Sequence, residues 1–183
     1  MKRVTRQEIL DYVTYEEQRE KFRKKIMKIK ELRRINVAGV LSFLFENTDT
    51  VRYQIQEMIR VERMVKETDI LHEIKTYNEL LGDSGELGCT LLIEIDDPDE
   101  REEKLTQWLD LPKHLYLSLE DESRIRASFD ERQIGVSRLS SVQYIKFNTL
   151  GKTPVAIGSD LPLMKAETTF TADQKKALSE DLL

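Results

Sequence analysis

Residues 37–46 read VAGVLSFLFE, ten nearly uninterrupted apolar positions rich in β-formers. A run of that length suits a central strand covered on both faces. Asn47-Thr48-Asp49 follows as turn and cap, and a helix is expected from about Thr50 to Val65. A second helix, capped by Thr68 or Asp69, runs to Leu81. The short link through Lys66-Glu67 makes the two helices neighbours.

Ahead of this block, Thr5 with Glu8 and Thr14 with Glu17 read as capping boxes. They open a short helix and then a longer one to about Arg34. Phe22, Ile26 and Ile29 share one face of the longer helix, and basic residues fill the rest, so it packs by one edge. Beyond the pair, Gly82–Glu86 is a loop. Leu87, Cys89, Leu91, Ile93 and Ile95 then alternate with Gly88, Thr90, Leu92 and Glu94, a strand with one buried face. Cys89 on that face is read as core filler. Asp97-Pro98 starts a helix packed through Leu105, Trp108 and Leu109. Leu115–Leu119 and Ile125–Phe129 alternate around Asp121-Glu122-Ser123, the signature of a hairpin. Val142–Phe147 adds a strand, and Pro154–Ile157 a short edge strand.

The fold class is therefore α+β. A basic helix and a helix pair pack on a mixed, mostly antiparallel sheet built from residues 36–46 and 87–157. Residues 1–158 read as one domain. Residues 159–183 read as a loosely ordered C-terminal segment with a short helix from Thr171 to Leu182.

Composition narrows the function classes. At 39% hydrophobic the chain can build a core, and at 34% charged its surface is dense in charge. No run of 18 apolar residues is present, and Glu8 and Asp11 interrupt any signal-peptide pattern after Met-Lys-Arg. The lone Cys89 excludes an intrachain disulfide and cysteine-rich zinc sites. The expectation is a cytoplasmic protein with no membrane segment. The net charge of −5 is unevenly spread: residues 1–34 carry +6 and the remainder −11. A basic head could grip nucleic acid through the helix at 19–34, but the acidic remainder and the lack of interleaved aromatics argue against it.

Several strings resemble signatures and lack their context. Gly151-Lys152-Thr153 has Lys146 where a phosphate loop needs glycine. Gly82, Gly85 and Gly88 follow a helix and precede a strand, the reverse of a dinucleotide site. Gly82-Asp83-Ser84-Gly85 has no supporting upstream histidine strand. His72-Glu73 has Thr76 in place of the second histidine of a zincin helix. No resident metal is assigned and no cofactor is identified.

The helix pair departs from plain packing. At 100° per residue, Val51, Ile55, Met58 and Val65 form an apolar stripe, and Glu62 lands inside it. Arg52, Gln56, Arg60 and Arg63 form a polar stripe on one flank, with Glu57 just beyond. On the second helix Ile70, Ile74, Tyr77 and Leu81 point to the core, Glu73 flanks them, and His72 points away. A glutamate on a core face is costly unless paired. The candidate ligand-binding residues are Arg52, Gln56, Glu57, Arg60, Glu62, Glu73 and His72. The plainer reading gives Glu62 a solvent-reaching helix end or an internal ion pair.

The string Phe45-Glu46-Asn47-Thr48-Asp49-Thr50-Val51-Arg52-Tyr53-Gln54-Ile55-Gln56-Glu57-Met58, with Tyr77-Asn78-Glu79-Leu80 and the strand from Gly85 to Glu94, resembles an uncharacterised prokaryotic family, domain of unknown function 3501. The resemblance runs from about Thr5 to Phe147. It brings no activity. It implies a context, since such proteins are often encoded near rubrerythrin and iron–sulfur oxidoreductases, which points to an oxidative-stress or electron-transfer setting. Without a cysteine cluster the chain would not itself carry an iron–sulfur centre.

Three functions are in play. The first is an accessory or binding protein, homo-oligomeric, serving a redox partner. The second is a small-anion or carboxylate-metal enzyme with its site on the helix pair at 50–81. The third is nucleic-acid binding.

Overall fold

In the computed structural model, which describes residues 1–183, the apolar run around Val37 is split in two. Strand β1 (Arg34–Val37) ends at Ala38 and Gly39, both left-handed at φ 52° and 74°, and β2 (Leu41–Glu46) returns antiparallel. A glycine placed for a tight turn makes a hairpin where one strand is expected. All six residues of β2 are buried, so the expected cover on both faces holds.

Along the chain follow β3 (Glu86–Ile93), β4 (Leu115–Leu119), β5 (Arg124–Arg126), β6 (Val142–Asn148), β7 (Pro154–Leu161) and β8 (Met164–Thr169). They form two four-stranded sheets, β1-β2-β3-β6 and β5-β4-β7-β8. Every pairing is antiparallel, which corrects the single mixed sheet of the sequence reading. The physical reason is that each sheet has one strongly apolar face, and two such faces bury each other. Phe43, Phe45, Leu91 and Phe147 from one sheet share a core with Leu115, Leu117 and Ile157 from the other. The sheets also meet along both edges. Ser128, just past β5, exchanges backbone hydrogen bonds with Lys146 of β6, both at 2.8 Å. On the far side Thr168 Oγ1 of β8 donates to the Asn36 carbonyl of β1 at 2.9 Å.

Pro154 therefore opens a strand that lies between β4 and β8, not at an edge. As the first residue of β7 it forgoes an N–H at little cost. Residues 159–170, expected to be loose, supply the end of β7 and all of β8. Only alternate positions of β8 are shielded, with Lys165, Glu167 and Thr169 exposed, so the strand carries a weak apolar signal.

Helices cover the sandwich. These are α1 (Tyr12–Glu31), α2 (Thr48–Val61), α3 (Glu67–Asn78), α4 (Pro98–Gln107), the single turn α5 (Leu111–His114) and α6 (Ala172–Asp181). Asp11, not Thr14, caps α1, accepting from the Val13 and Thr14 N–H groups at 3.0 Å. Leu105, Trp108 and Leu111 enter the sandwich core, as do Leu178 and Leu182. The N-terminal segment, α2 and α3 build a second core from Val4, Ile9, Val51, Ile55, Ile59, Ile70, Ile74 and Leu81. That layer sits directly on the first sheet at Gly88, where a Cβ would stand 1.7 Å from the Leu80 carbonyl oxygen.

Helix α2 stops earlier than expected. Arg63 adopts the left-handed conformation at φ 48°, and Met64 N–H closes back on the Ile59 carbonyl at 3.0 Å. This is the hydrogen-bond pattern usually closed by glycine, here closed by arginine. Ile59 is buried in place of Met58, while Glu62 and Val65 fall beyond the helix and are exposed.

One buried ion pair joins the end of α1 to the end of α6. Arg33 Nε and Nη2 grip Asp181 at 2.6 and 3.0 Å, with both side chains under 10% exposed. The guanidinium also donates to the Ile29 and Ala177 carbonyls, and Asn47 Nδ2 donates to Asp181.

Two outcomes follow. Asp181→Ala strands a buried guanidinium and should cost about 3–5 kcal/mol in urea denaturation. A cost below about 1 kcal/mol would reduce the pair to the level of a surface bridge. Arg63→Gly relieves a left-handed arginine and should raise stability by up to about 1 kcal/mol. A clear loss would contradict this account of the helix stop.

Candidate functional site

The polar flank of α2 is occupied by the chain itself. Glu57 accepts from Tyr15 Oη at 2.7 Å and from Arg19 Nε and Nη2 at 2.8 and 3.0 Å, with Arg60 Nη2 at 3.2 Å. Arg60 also reaches Glu16. Arg52 pairs with Asp49 and with Glu8. Gln56, fully enclosed, accepts from the Leu10 N–H at 2.6 Å and donates to the Leu10 carbonyl at 3.2 Å. Four of the seven candidates are thus brought together, and what they hold is α1 and the segment before it. Burial works to raise the Glu57 carboxyl, but the hydrogen bonds from Arg19 and Tyr15 outweigh it and keep it below its usual 4.5. Burial, then the Glu57 contact, pushes the Tyr15 phenol far up.

Of the remaining candidates, Glu62 is the exposed C-cap of α2 and His72 is exposed on the outer side of α3. Neither has an ion-pair or hydrogen-bond partner among the side chains. No group of three or more His, Cys, Asp and Glu gathers anywhere in the chain.

Glu73 is different. It lines a cleft of about 670 Å³ between the helix layer and the outer face of the first sheet. Met58 of α2, Glu73, Thr76 and Tyr77 of α3, and Leu80 just beyond it make one wall. Tyr144 and Lys146 of β6, with Phe129, Asp130 and Gln133 from the preceding loop, make the other. The loop wall is fastened to β6 by a side chain that imitates a strand. Gln133 Nε2 donates to the Tyr144 carbonyl at 3.0 Å, and its Oε1 accepts from the Tyr144 N–H at 2.8 Å.

The charges around the cleft are unequal in freedom. Asp130 is held by Arg132, and Lys146 Nζ lies 3.7 Å from Glu86. The side chains of Glu73 and Glu79 make no ion pair and no hydrogen bond. Burial pushes the Tyr77 phenol up; a hydrogen bond with Gln54 opposes the rise, and the Glu73 carboxylate adds to it, with a net upward shift. Cys89 reaches the cleft lining but is buried, and burial with the nearby Glu46 carboxylate holds the thiol protonated. That matches its reading as core filler.

The sequence reading missed Tyr144, Lys146, Phe129 and Gln133, and it assigned Tyr77 to the core. The alternation of β6 does mark Tyr144 as outward-facing, but nothing in the sequence says that α3 stands off from it.

The arrangement defines an α+β protein whose antiparallel sandwich carries a helical layer with one open, aromatic-walled cleft. The chain belongs to the family described as protein of unknown function (DUF3501), which matches residues 3–182. A crystal structure of a novel protein of unknown function from Burkholderia pseudomallei shares 26% of its residues, covers 100% of both chains and superimposes with a TM-score of 0.90. No curated protein matches. No helix is long and apolar enough to cross a membrane.

The depressed Glu57 carboxyl sets a pH dependence. A carboxyl held lower in the folded state stabilises above its unfolded value and loses that contribution as pH falls through the folded one. Wild-type stability should therefore drop on acidification below about pH 4.5 more steeply than that of Glu57→Gln, measured by urea denaturation between about pH 3 and pH 6. Parallel curves would remove Glu57 as the source.

Proposed function

We propose that this chain is an accessory or binding protein that works through the cleft between α3 and β6. The observation that carries the reading is a contrast. The arginines and the buried glutamine of α2 are consumed in holding α1 and the segment before it, whereas the cleft keeps apolar and aromatic walls and two uncommitted carboxylates. Ligand sites are typically concave, mostly apolar and roughly 300–1,000 Å³, with a few polar groups that orient the ligand. An anion or carboxylate-metal site on the helix pair draws no comparable support, because its arginines already have carboxylate partners.

The wider setting rests on other grounds. The family's association with rubrerythrin and iron–sulfur oxidoreductases supports a redox or oxidative-stress role in the cytoplasm beside a redox protein partner. The exposed Val61, Val65 and Leu71, in and beside the link from α2 to α3, support self-association into a homo-oligomer.

A thermal-shift screen of metabolites against wild type and Thr76→Trp, which fills the cleft, tests the binding reading. We expect at least one compound to raise Tm in wild type and not in the variant. Shifts equal in both proteins, or none across the screen, would overturn it. Light scattering over a concentration series checks the assembly, and a strict monomer would remove self-association.

A further inference from the structure

We propose that the cleft selects a small organic cation, an ammonium group carried on an apolar or aromatic body. The inference rests on the binding reading above and adds the chemistry of the ligand. Three observations point the same way. Glu73 is a half-buried carboxylate with no partner in the chain, and it lies beside Tyr77. A partly desolvated charge of this kind is compensated best by an opposite charge brought in by the ligand. The rings of Tyr77, Tyr144 and Phe129 line the same space, and aromatic faces attract cations while offering apolar area to the rest of a ligand. The electrostatic balance is also one-sided. The cationic Lys146 is offset by Glu86, whereas Glu73 and Glu79 are offset by nothing. The helical wall is the C-terminal half of α3, the end whose backbone dipole favours positive charge. An anionic ligand would meet all of these unfavourably.

The volume of about 670 Å³ accommodates a free small molecule. The proposal commits to that source over a lysine side chain of another protein, because the aromatic walls call for an apolar body next to the charge.

Matched probes test it. Phenethylamine, phenethyl alcohol and 3-phenylpropionate share a ring and differ in charge. N-acetyl-lysine methylamide carries the ammonium without the ring. Each is titrated into ¹⁵N-labelled full-length protein while the amides of Thr76, Tyr77, Tyr144 and Lys146 are followed. We expect phenethylamine to bind about tenfold more tightly than the alcohol, and Glu73→Gln to abolish that preference while leaving the alcohol's affinity unchanged. Glu79→Gln, on the exposed rim, should reduce the preference less, and both variants should keep the wild-type amide spectrum away from the cleft. Equal or tighter binding of the alcohol or the carboxylate overturns the cation proposal and leaves the binding reading standing. Tighter binding of the lysine analogue overturns the small-molecule form. If no probe perturbs the cleft amides at millimolar concentration, the proposal and the binding reading fall together.

Discussion

The ion pair between Arg33 and Asp181 is the constraint on which the arrangement of layers depends. Arg33 stands where α1 gives way to β1, and Asp181 closes α6. Around them converge the Ile29 and Ala177 carbonyls and the Asn47 side chain that caps α2. A charge pair this enclosed is not a strong source of net stability, since desolvation offsets most of the attraction. Its effect is specific. A misplaced α1 or α6 would leave one of the charges buried and alone, which is far costlier than a misplaced apolar contact. The pair thus fixes where the helical layer and the sandwich meet, and the direct contact of Leu80 with Gly88 then fixes how closely they approach.

A second polar centre works the same way on the other side of α1. Glu57 collects a phenol and two guanidinium groups, and Gln56 pairs with the backbone of Leu10. In the sequence these residues form a polar stripe that invites a ligand. In the structure the ligand is the chain's own first helix. Glu62 attracts notice only because a helix continued to Val65 would bury it, and the helix does not continue. The cleft owes its openness to this economy of contacts. The polar groups of α2 face α1, so the side of α3 that looks toward β6 retains unpaired carboxylates over an aromatic wall.

Much of the fold was legible because the periodicities are strong where burial is one-sided. The alternation of Leu87, Cys89, Leu91 and Ile93 could be read directly, as could the cover on both faces of β2 and the β4–β5 hairpin, although its second arm ends at Arg126 and Ser128 already pairs with β6 of the other sheet. What escaped reading has physical causes. The strand at 164–169 is an edge whose outward residues are charged or hydroxylated, so it lacks an apolar rhythm. The end of α2 is closed by arginine in a conformation that normally announces itself with glycine. The hairpin at Gly39 is hidden because Val37, the last residue of β1, runs on into the apolar residues of β2 with little polar punctuation between them. The site was less legible than the fold. Of its residues only Glu73 stood out, since a cleft between layers depends on how far apart they stand, and no local pattern encodes a distance of that kind.

The joining of Arg33 to Asp181 also has a consequence in time. Ribosomes add about 5–20 residues per second, so α1 is made roughly 7–30 s before its buried partner exists. The closure of β8 on β1 through Thr168 and Asn36 waits nearly as long. Until Asp181 is made Arg33 has no counter-charge, and until β7 and β8 are made the apolar face of the first sheet lacks its complete partner. The pair itself can close only after residue 181 has been made.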